Sequence, residues 1–453
     1  MRKKTLIDTY LKNYSVGEKW QLTVNKTDNI FQVVVIPAYA EKDLIFSTLA
    51  SIAKNSPSSL EYSLILCVVN NKDSSPSEDI ENNIWTIKCL DALVKGRSLK
   101  EFRNENKIYP LLNDIAASGI KLGYIDAASR GFALPANKGG VGLARKIGMD
   151  MALRLLLRSN SNSIPAIVCL DADTLVSDNY LSVIRKYFTP ETKTAIVAYE
   201  HQMPDNYDQQ SAIVCYEIFL RYWVLGLKYA GSPWAFHSIG STIAVSTEAY
   251  LEVRGMNRRE AGEDFYFLNK LAKAGEINYV KETCVYPSAR PSTRVPFGTG
   301  KSIRRFLSGI DKEEFYSLYD VRIFEVLHNW LKLVNEYLMS DEDEILIKAG
   351  EINPLLNNFL KINDFVLIWS KIRRNSKNKQ IRARQFNDWF DGFKTLKLIN
   401  YFTAELYPKT GMFEALDKIL VMSEMRRPKQ NPGTKIPSLE DQIEILQCLR
   451  NLT

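Results

Sequence analysis

No stretch of this 453-residue chain supplies the roughly 18 uninterrupted apolar residues that a membrane-spanning helix needs. The nearest approach, Ile213 to Ala230, is broken by Glu217, Arg221 and Lys228, and reads as an aromatic-rich core helix. Met1-Arg2-Lys3-Lys4 is basic, but no long apolar run or small-residue cleavage site follows it, so a cytoplasmic location is expected. Cysteine is sparse: the six are scattered singly, with no pair at the spacing of a zinc site or redox motif. Cys67 and Cys169 fall inside apolar runs and are expected as buried free thiols. Repeats of solenoid length are absent. A composition of 45% hydrophobic and 25% charged residues excludes a disordered or fibrous chain.

What is present is a length that calls for two structural units and an alternation of short apolar runs with longer amphipathic ones. That alternation predicts an α/β class with a mainly parallel central sheet. Strands are expected at Phe31 to Ile36, Leu64 to Val69, Leu122 to Ile125 and Ile164 to Leu170, with further ones at Ile196 to Ala198 and Thr242 to Val245. Beyond about Arg304 strand signals fade and helical periods run to Leu449, with breaks near Asn353-Pro354 and Arg427 to Pro437. The expected organisation is therefore an N-terminal segment (1–30), an α/β domain (31–303) and a helical C-terminal domain or extension (304–453).

Chemistry gathers at the strand exits. Ligands of open α/β sheets collect at the carboxyl ends of the strands. Asp171-Ala172-Asp173 follows Ile-Val-Cys-Leu directly, and residues i and i+2 of an extended segment project to one side. Two such carboxylates invite a hard cation, Mg²⁺ or Mn²⁺, which would neutralise charge on a diphosphate. Pro37-Ala38-Tyr39-Ala40-Glu41 closes the first strand; Tyr39 could pack on a base or ribose and Glu41 could accept hydrogen bonds from them. Asn137-Lys138-Gly139-Gly140, with Arg145 one turn on, is a glycine-rich helix start bearing cations suited to phosphate. Gly262-Glu263-Asp264 opens a further helix with two acids.

In this order, these pieces resemble the family 2 glycosyltransferases, which have the GT-A fold, over roughly Gln32 to Tyr286. The resemblance rests on Pro37 to Glu41, the Asn-Lys-Gly-Gly-x-Gly-x-Ala-Arg stretch from Asn137 to Arg145, Asp171-x-Asp173, and Gly262-Glu263-Asp264. It implies transfer of a sugar from a nucleoside-diphosphate donor to a hydroxyl of a glycan, lipid-linked or small-molecule acceptor, with inversion. By the same resemblance Glu41 and the second strand's exit face the base, Lys138 and Arg145 lie near ribose or phosphate, Asp173 is the chief metal ligand, and Asp264 is the general base. Two positions depart from the family pattern. Ala40 stands where Asn is common, and Asn70-Asn71 where an Asp reads uracil; an amide both donates and accepts, so the identity of the base stays open.

Further candidates are Glu263 and Trp234 for holding the acceptor, and His237 as an added metal ligand. A basic segment around Pro296 to Gly300, with Arg290, Arg294, Lys301 and Arg304, could close over the diphosphate. The net charge of +7 and the run Lys371 to Arg384, with seven basic residues and no acid, suit peripheral contact with an anionic membrane or a phosphorylated acceptor. With no recognised module beside the basic run, a nucleic-acid partner is not expected. Two other readings compete. Asp171-Ala172-Asp173-Thr174 would fit a haloacid-dehalogenase-like phosphohydrolase with Asp171 as nucleophile, though three α/β units precede the motif. A non-catalytic nucleotide-sugar-binding protein would more naturally have lost one of Asp171, Asp173 and Asp264.

Overall fold

The computed structural model describes residues 2–137, 139–158, 164–292, 298–309, 312–425 and 436–453. The chain forms two compact units. The first comprises Met1–Gln202 and Ser238–Ser288, and the second Met203–His237 and Ala289–Thr453.

The first unit is built on nine strands: β1 (Leu22–Val24), β2 (Gln32–Ala38), β3 (Ser63–Asn70), β4 (Lys121–Ala127), β5 (Ala166–Cys169), β6 (Leu175–Val176), β7 (Thr194–Tyr199), β8 (Ile243–Ser246) and β9 (Ile277–Tyr286). Their order across the sheet is β1-β4-β3-β2-β5-β8-β7-β9-β6. The β4-β3-β2-β5 block is parallel throughout, with Val35 opposite both Leu66 and Cys169. Every residue of β2, β3 and β5 is buried, as expected of parallel strands covered on both faces, and this explains their unbroken Val/Ile/Leu runs. The antiparallel members β1 and β6 are only three and two residues long and leave no sequence signal, whereas β8, expected at Thr242 to Val245, is present and fully buried. Parallel neighbours end on one edge, so the exits of β2, β3 and β5 bring Pro37–Glu41, Asn70-Asn71 and Asp171 to the same side. Because β8 runs antiparallel to β5, its beginning, not its end, meets that edge.

A buried ionic knot ties the N-terminal helix Arg2–Asn13 into this unit. Asp150 Oδ1 accepts from Tyr10 Oη at 2.5 Å and from Tyr250 Oη at 2.7 Å, while Oδ2 accepts from the Val16 amide at 2.7 Å. Lys146 Nζ completes it at 3.0 Å from Tyr10 Oη.

The second unit is helical. Its core includes Trp330, Phe365, Trp369, Phe386 and Phe390, with Trp330 and Phe365 crossing edge to face at 5.7 Å. The aromatic helix Tyr207–Tyr229 belongs to this unit and buries Glu217 between Arg221 at 3.0 Å and Arg450 at 2.8 Å. The expected break at Asn353-Pro354 is present: Asn353 caps the helix Pro354–Ile362 through its side chain. That expected within Arg427 to Pro437 falls largely outside the described residues. Among the described residues no helix is long and apolar enough to cross a membrane. All six cysteines are free thiols; burial pushes Cys67 up to about 12 and Cys169 up to about 11.

Candidate active site

The acidic triplet leaves β5 with all three of its carbonyls hydrogen-bonded. The Asp171 carbonyl accepts from the Thr174 amide at 3.2 Å, that of Ala172 from Thr48 Oγ1 at 2.9 Å, and that of Asp173 from Gln202 Nε2 at 3.0 Å. Three satisfied carbonyls fix the loop, so the direction of its side chains is set before any ligand arrives.

Asp171 is then held at both oxygens. Ser241 Oγ donates to Oδ2 at 2.6 Å, and Arg145 Nη2 pairs with Oδ1. Ser241 lies in the turn Gly240–Thr242 that starts β8, which is how the antiparallel register delivers it. Its hydroxyl also meets Thr174 Oγ1 at 3.0 Å.

Arg145 is the centre of the arrangement, with a side chain only 4% exposed. Its Nε donates to Glu263 Oε1 at 2.9 Å and its Nη1 to the Gly240 carbonyl at 2.9 Å. Burial works against the guanidinium's charge, but Asp171 and Glu263 outweigh it and hold the group firmly cationic. The resemblance puts this residue near ribose or phosphate; in the folded chain its donors face two carboxylates and a carbonyl. A Cβ at Gly240 would lie 2.2 Å from Nη2, so the close approach needs glycine there.

The glycine-rich stretch serves packing as well. A Cβ at Gly142 would fall 2.3 Å from the Arg259 carbonyl, so the start of the helix Val141–Leu156 lies directly on the segment leading to Glu263. Gly139 sits where a Cβ would meet the Pro135 carbonyl at 2.2 Å. Lys138, and Arg294, Pro296 and Phe297 of the basic segment, lie outside the described residues.

The helix Glu263–Ala274 presents both acids in its first turn. Glu263 is buried, and that burial pushes its carboxyl up to about 7 against the opposing pull of Arg145. Asp264 is half-buried; Oδ1 accepts from the Phe265 amide at 2.7 Å, and burial raises its pKa while Arg145 lowers it. A carboxylate with a raised pKa is a better proton acceptor than an exposed one.

At the neighbouring strand exits the two asparagines have different fates. Asn71 Nδ2 donates to the Lys72 and Ala128 carbonyls, both at 3.1 Å, and its Oδ1 accepts from Asn83 at 3.0 Å. Asn70 Oδ1, by contrast, is buried without a hydrogen-bond partner among the described residues. Pro37 is buried within β2, two residues past the last β5 pairing at Val35. Tyr39 Oη donates to Asp79 Oδ2 at 2.5 Å, and Glu41 is buried at the start of the following helix, its carbonyl accepting from the Ile45 amide at 2.9 Å.

Ala40 adopts φ 54°, a left-handed conformation costly for a side chain with a Cβ, while its amide donates to Asn83 Oδ1 at 2.9 Å. Asn, which the resembled family has here, tolerates that region best after glycine. Ala40→Asn is expected to raise stability by about 0.5–1 kcal/mol. Denaturant unfolding checks it, and a lowered midpoint would show that the loop does not depend on this dihedral.

Trp234 and His237 both belong to the second unit. Trp234 is buried and donates Nε1–H to the Phe390 carbonyl at 3.0 Å. Burial, then Arg221 and Lys228, hold His237 well below its ordinary pKa, so its imidazole is neutral. Thr48, Gln202, Gly240 and Ser241 support the triplet without having been singled out for that role from sequence.

None of the curated protein sequences matches the chain. Among solved structures it is similar to S. aureus TarS 1-349, at 11% identity over 80% of this chain and 91% of that one, with a TM-score of 0.34. The same fragment in complex with UDP-GlcNAc gives 12% identity over the same shares and a TM-score of 0.35. The mannosyltransferase PcManGT from Pyrobaculum calidifontis, in complex with GDP-Man and Mn2+, gives 14% over 86% and 92%, with a TM-score of 0.33. Superpositions at that level carry no assignment by themselves. The model of glycosyl transferase family group 2 matches residues 166–348, which begin at β5 and contain Asp171, Asp173, Ser241, Glu263 and Asp264. Across that stretch the chain is similar to the glycosyl transferases of family group 2.

Proposed function

We propose that this chain transfers a sugar from a nucleoside-diphosphate donor to a hydroxyl acceptor, with inversion at the sugar carbon and with Mn²⁺ or Mg²⁺ as cofactor. The observation that carries the reading is the Arg145 clamp, which fixes Asp171 and Glu263 around one buried guanidinium beside Asp173 and Asp264. Among the described residues no cluster of three or more His, Cys, Asp or Glu side chains gathers at one point. One or two carboxylates completed by water and phosphate oxygens is nonetheless the ordinary pattern for a hard cation of this kind, and the triplet supplies that set. Asp173 would be the chief ligand, as the resemblance implies, with Asp171 held beside it by Arg145 and Ser241. Such a cation, when bound, stabilises negative charge on the departing nucleoside diphosphate.

The rest is done by the chain's own groups. Asp264 accepts the proton of the acceptor hydroxyl as its oxygen bonds to the sugar carbon, and the nucleoside diphosphate leaves with the electron pair of the broken bond. Glu263, pinned by Arg145, sets the angle of the helix start that carries Asp264. Asn70 is the base reader of this account: its buried oxygen accepts a ring N–H, and Asn71 is occupied within the loop. The same phosphohydrolase triplet would need a free Asp171 oxygen for in-line attack, which the Ser241 and Arg145 contacts disfavour.

Asp173→Ala tests the metal assignment. Metal-dependent binding of the nucleotide-sugar donor is expected to weaken at least about tenfold with little change in melting temperature, measured by calorimetric titration with and without Mn²⁺. Unchanged metal-dependent affinity would remove Asp173 from the site.

A further inference from the structure

The helix Pro354–Ile362 runs into Phe365–Asn375 through a tight corner at Asn363-Asp364, where Asp364 adopts φ 58°. Aliphatic side chains are out in solvent at this corner: Ile362 is 66% exposed, Leu367 55% and Val366 41%. They are not fraying residues of a loose end, because the corner is pinned from beneath. Asn363 is buried, its Nδ2 donates to the Phe359 carbonyl at 2.7 Å, and its Oδ1 accepts from both Lys397 Nζ at 2.9 Å and Lys394 Nζ at 3.2 Å. Two ammonium groups therefore converge on one neutral oxygen.

The helix that follows is divided by its own period. Phe365, Trp369 and Ile372 are buried, so Leu367, Lys371 and Arg374, at the same i, i+4, i+7 spacing, share the outward face. Over residues 361–375 Asp364 is the single acid, against Lys361, Lys371, Arg373 and Arg374. Of these cations Arg373 is paired with Glu342 at 2.6 Å. Among the described residues none of Lys361, Lys371, Arg374, Lys394 and Lys397 has a carboxylate within ion-pair distance.

We propose that this corner is a docking surface for an anionic lipid bilayer, with Ile362, Val366 and Leu367 entering the boundary of the acyl region and the surrounding cations meeting lipid phosphates. A projecting aliphatic corner ringed by more cations than acids matches the layered chemistry of a membrane interface, apolar at depth and anionic above it. A protein partner would instead call for a broader contiguous apolar patch. The inference lies within the second unit and does not rest on the donor chemistry proposed above.

The test is co-sedimentation of the full chain with sucrose-loaded vesicles of phosphatidylcholine containing roughly one third phosphatidylglycerol, against pure phosphatidylcholine. Binding to the anionic vesicles is expected, weakening with added salt. Two variants of exposed residues, Ile362→Ser with Leu367→Ser and Lys361→Gln with Lys371→Gln and Arg374→Gln, should each weaken it at least about tenfold while keeping the wild-type melting temperature. No binding by the wild-type chain, equal binding to both vesicle types, or wild-type binding by both variants would overturn the proposal. So would a concentration-dependent dimer abolished by the serine pair, since a second copy would then be the occupant. Because the readout is vesicle binding, its failure leaves the transferase reading standing, and loss of transfer leaves this surface standing.

Discussion

Asp264→Asn is expected to bind a nucleotide-sugar donor with wild-type affinity and to transfer the sugar about 10²–10⁴ times more slowly, the usual contribution of a positioned general base. Asparagine keeps the size of the side chain and the oxygen that accepts from the Phe265 amide, so the helix start should survive. What it loses is the capacity to take a proton. Donor affinity is the control, because a merely distorted site would lose binding and turnover together. The comparison is made by single-turnover kinetics beside calorimetric titration of the donor. Transfer at the wild-type rate would move the base elsewhere, and Glu263, already pushed up to about 7, would be the next group to replace.

The second large effect concerns stability. Arg145→Met removes one guanidinium and leaves Asp171 and Glu263 facing an apolar chain, with the Gly240 carbonyl also short of its donor. Breaking a buried ion pair by deleting one partner costs about 3–5 kcal/mol, because the remaining charge has no compensation. A loss of that size is a large part of a typical domain's net stability. Arg145→Lys should fall between, since one ammonium cannot address Glu263, Gly240 and Asp171 from the planar fork that arginine offers. Denaturant unfolding of both variants measures the effect. If Arg145→Met unfolded within 1 kcal/mol of wild type, Arg145 would not be the clamp described here.

Much of the first unit was legible because parallel strands buried on both faces leave long apolar runs. Val33 to Ile36, Leu64 to Val69 and Ile167 to Leu170 can hardly be anything else, and strands that long place their exits within a residue or two. The placement of Asp171 followed from that alone. Short or half-exposed strands have no such signature: β1 and β6 are three and two residues long, and β9 is only partly buried, so their pairing comes from tertiary contact.

Arg145 shows the limit from the other side. A cation after a glycine-rich helix start suggests phosphate, and nothing in its own neighbours contradicts that. A second signal was available, however. Gly142, Ala144, Gly148 and Ala152 let the helix pack closely, and most of it is buried, its charged Arg145, Lys146 and Asp150 included. A charge on such a helix requires an internal partner of opposite sign, and Glu263 and Asp171 were the acids already placed nearby. Trp234 carried an ambiguity of a different kind. An aromatic before a strand suits a sugar face or a core equally, and its burial together with the hydrogen bond to the Phe390 carbonyl places it in the core.

The most direct test of the account is thermal unfolding with a panel of nucleotide sugars, each with and without Mn²⁺. At least one donor should raise the melting temperature only when the metal is present, since a ligand at about 100 times its Kd stabilises the fold by about 2.7 kcal/mol. The shift should persist in Asp264→Asn and vanish in Asp173→Ala. A panel in which no nucleotide sugar stabilises the protein, or a shift that survives intact in Asp173→Ala, would contradict the assignment of this strand edge as a metal-and-donor site.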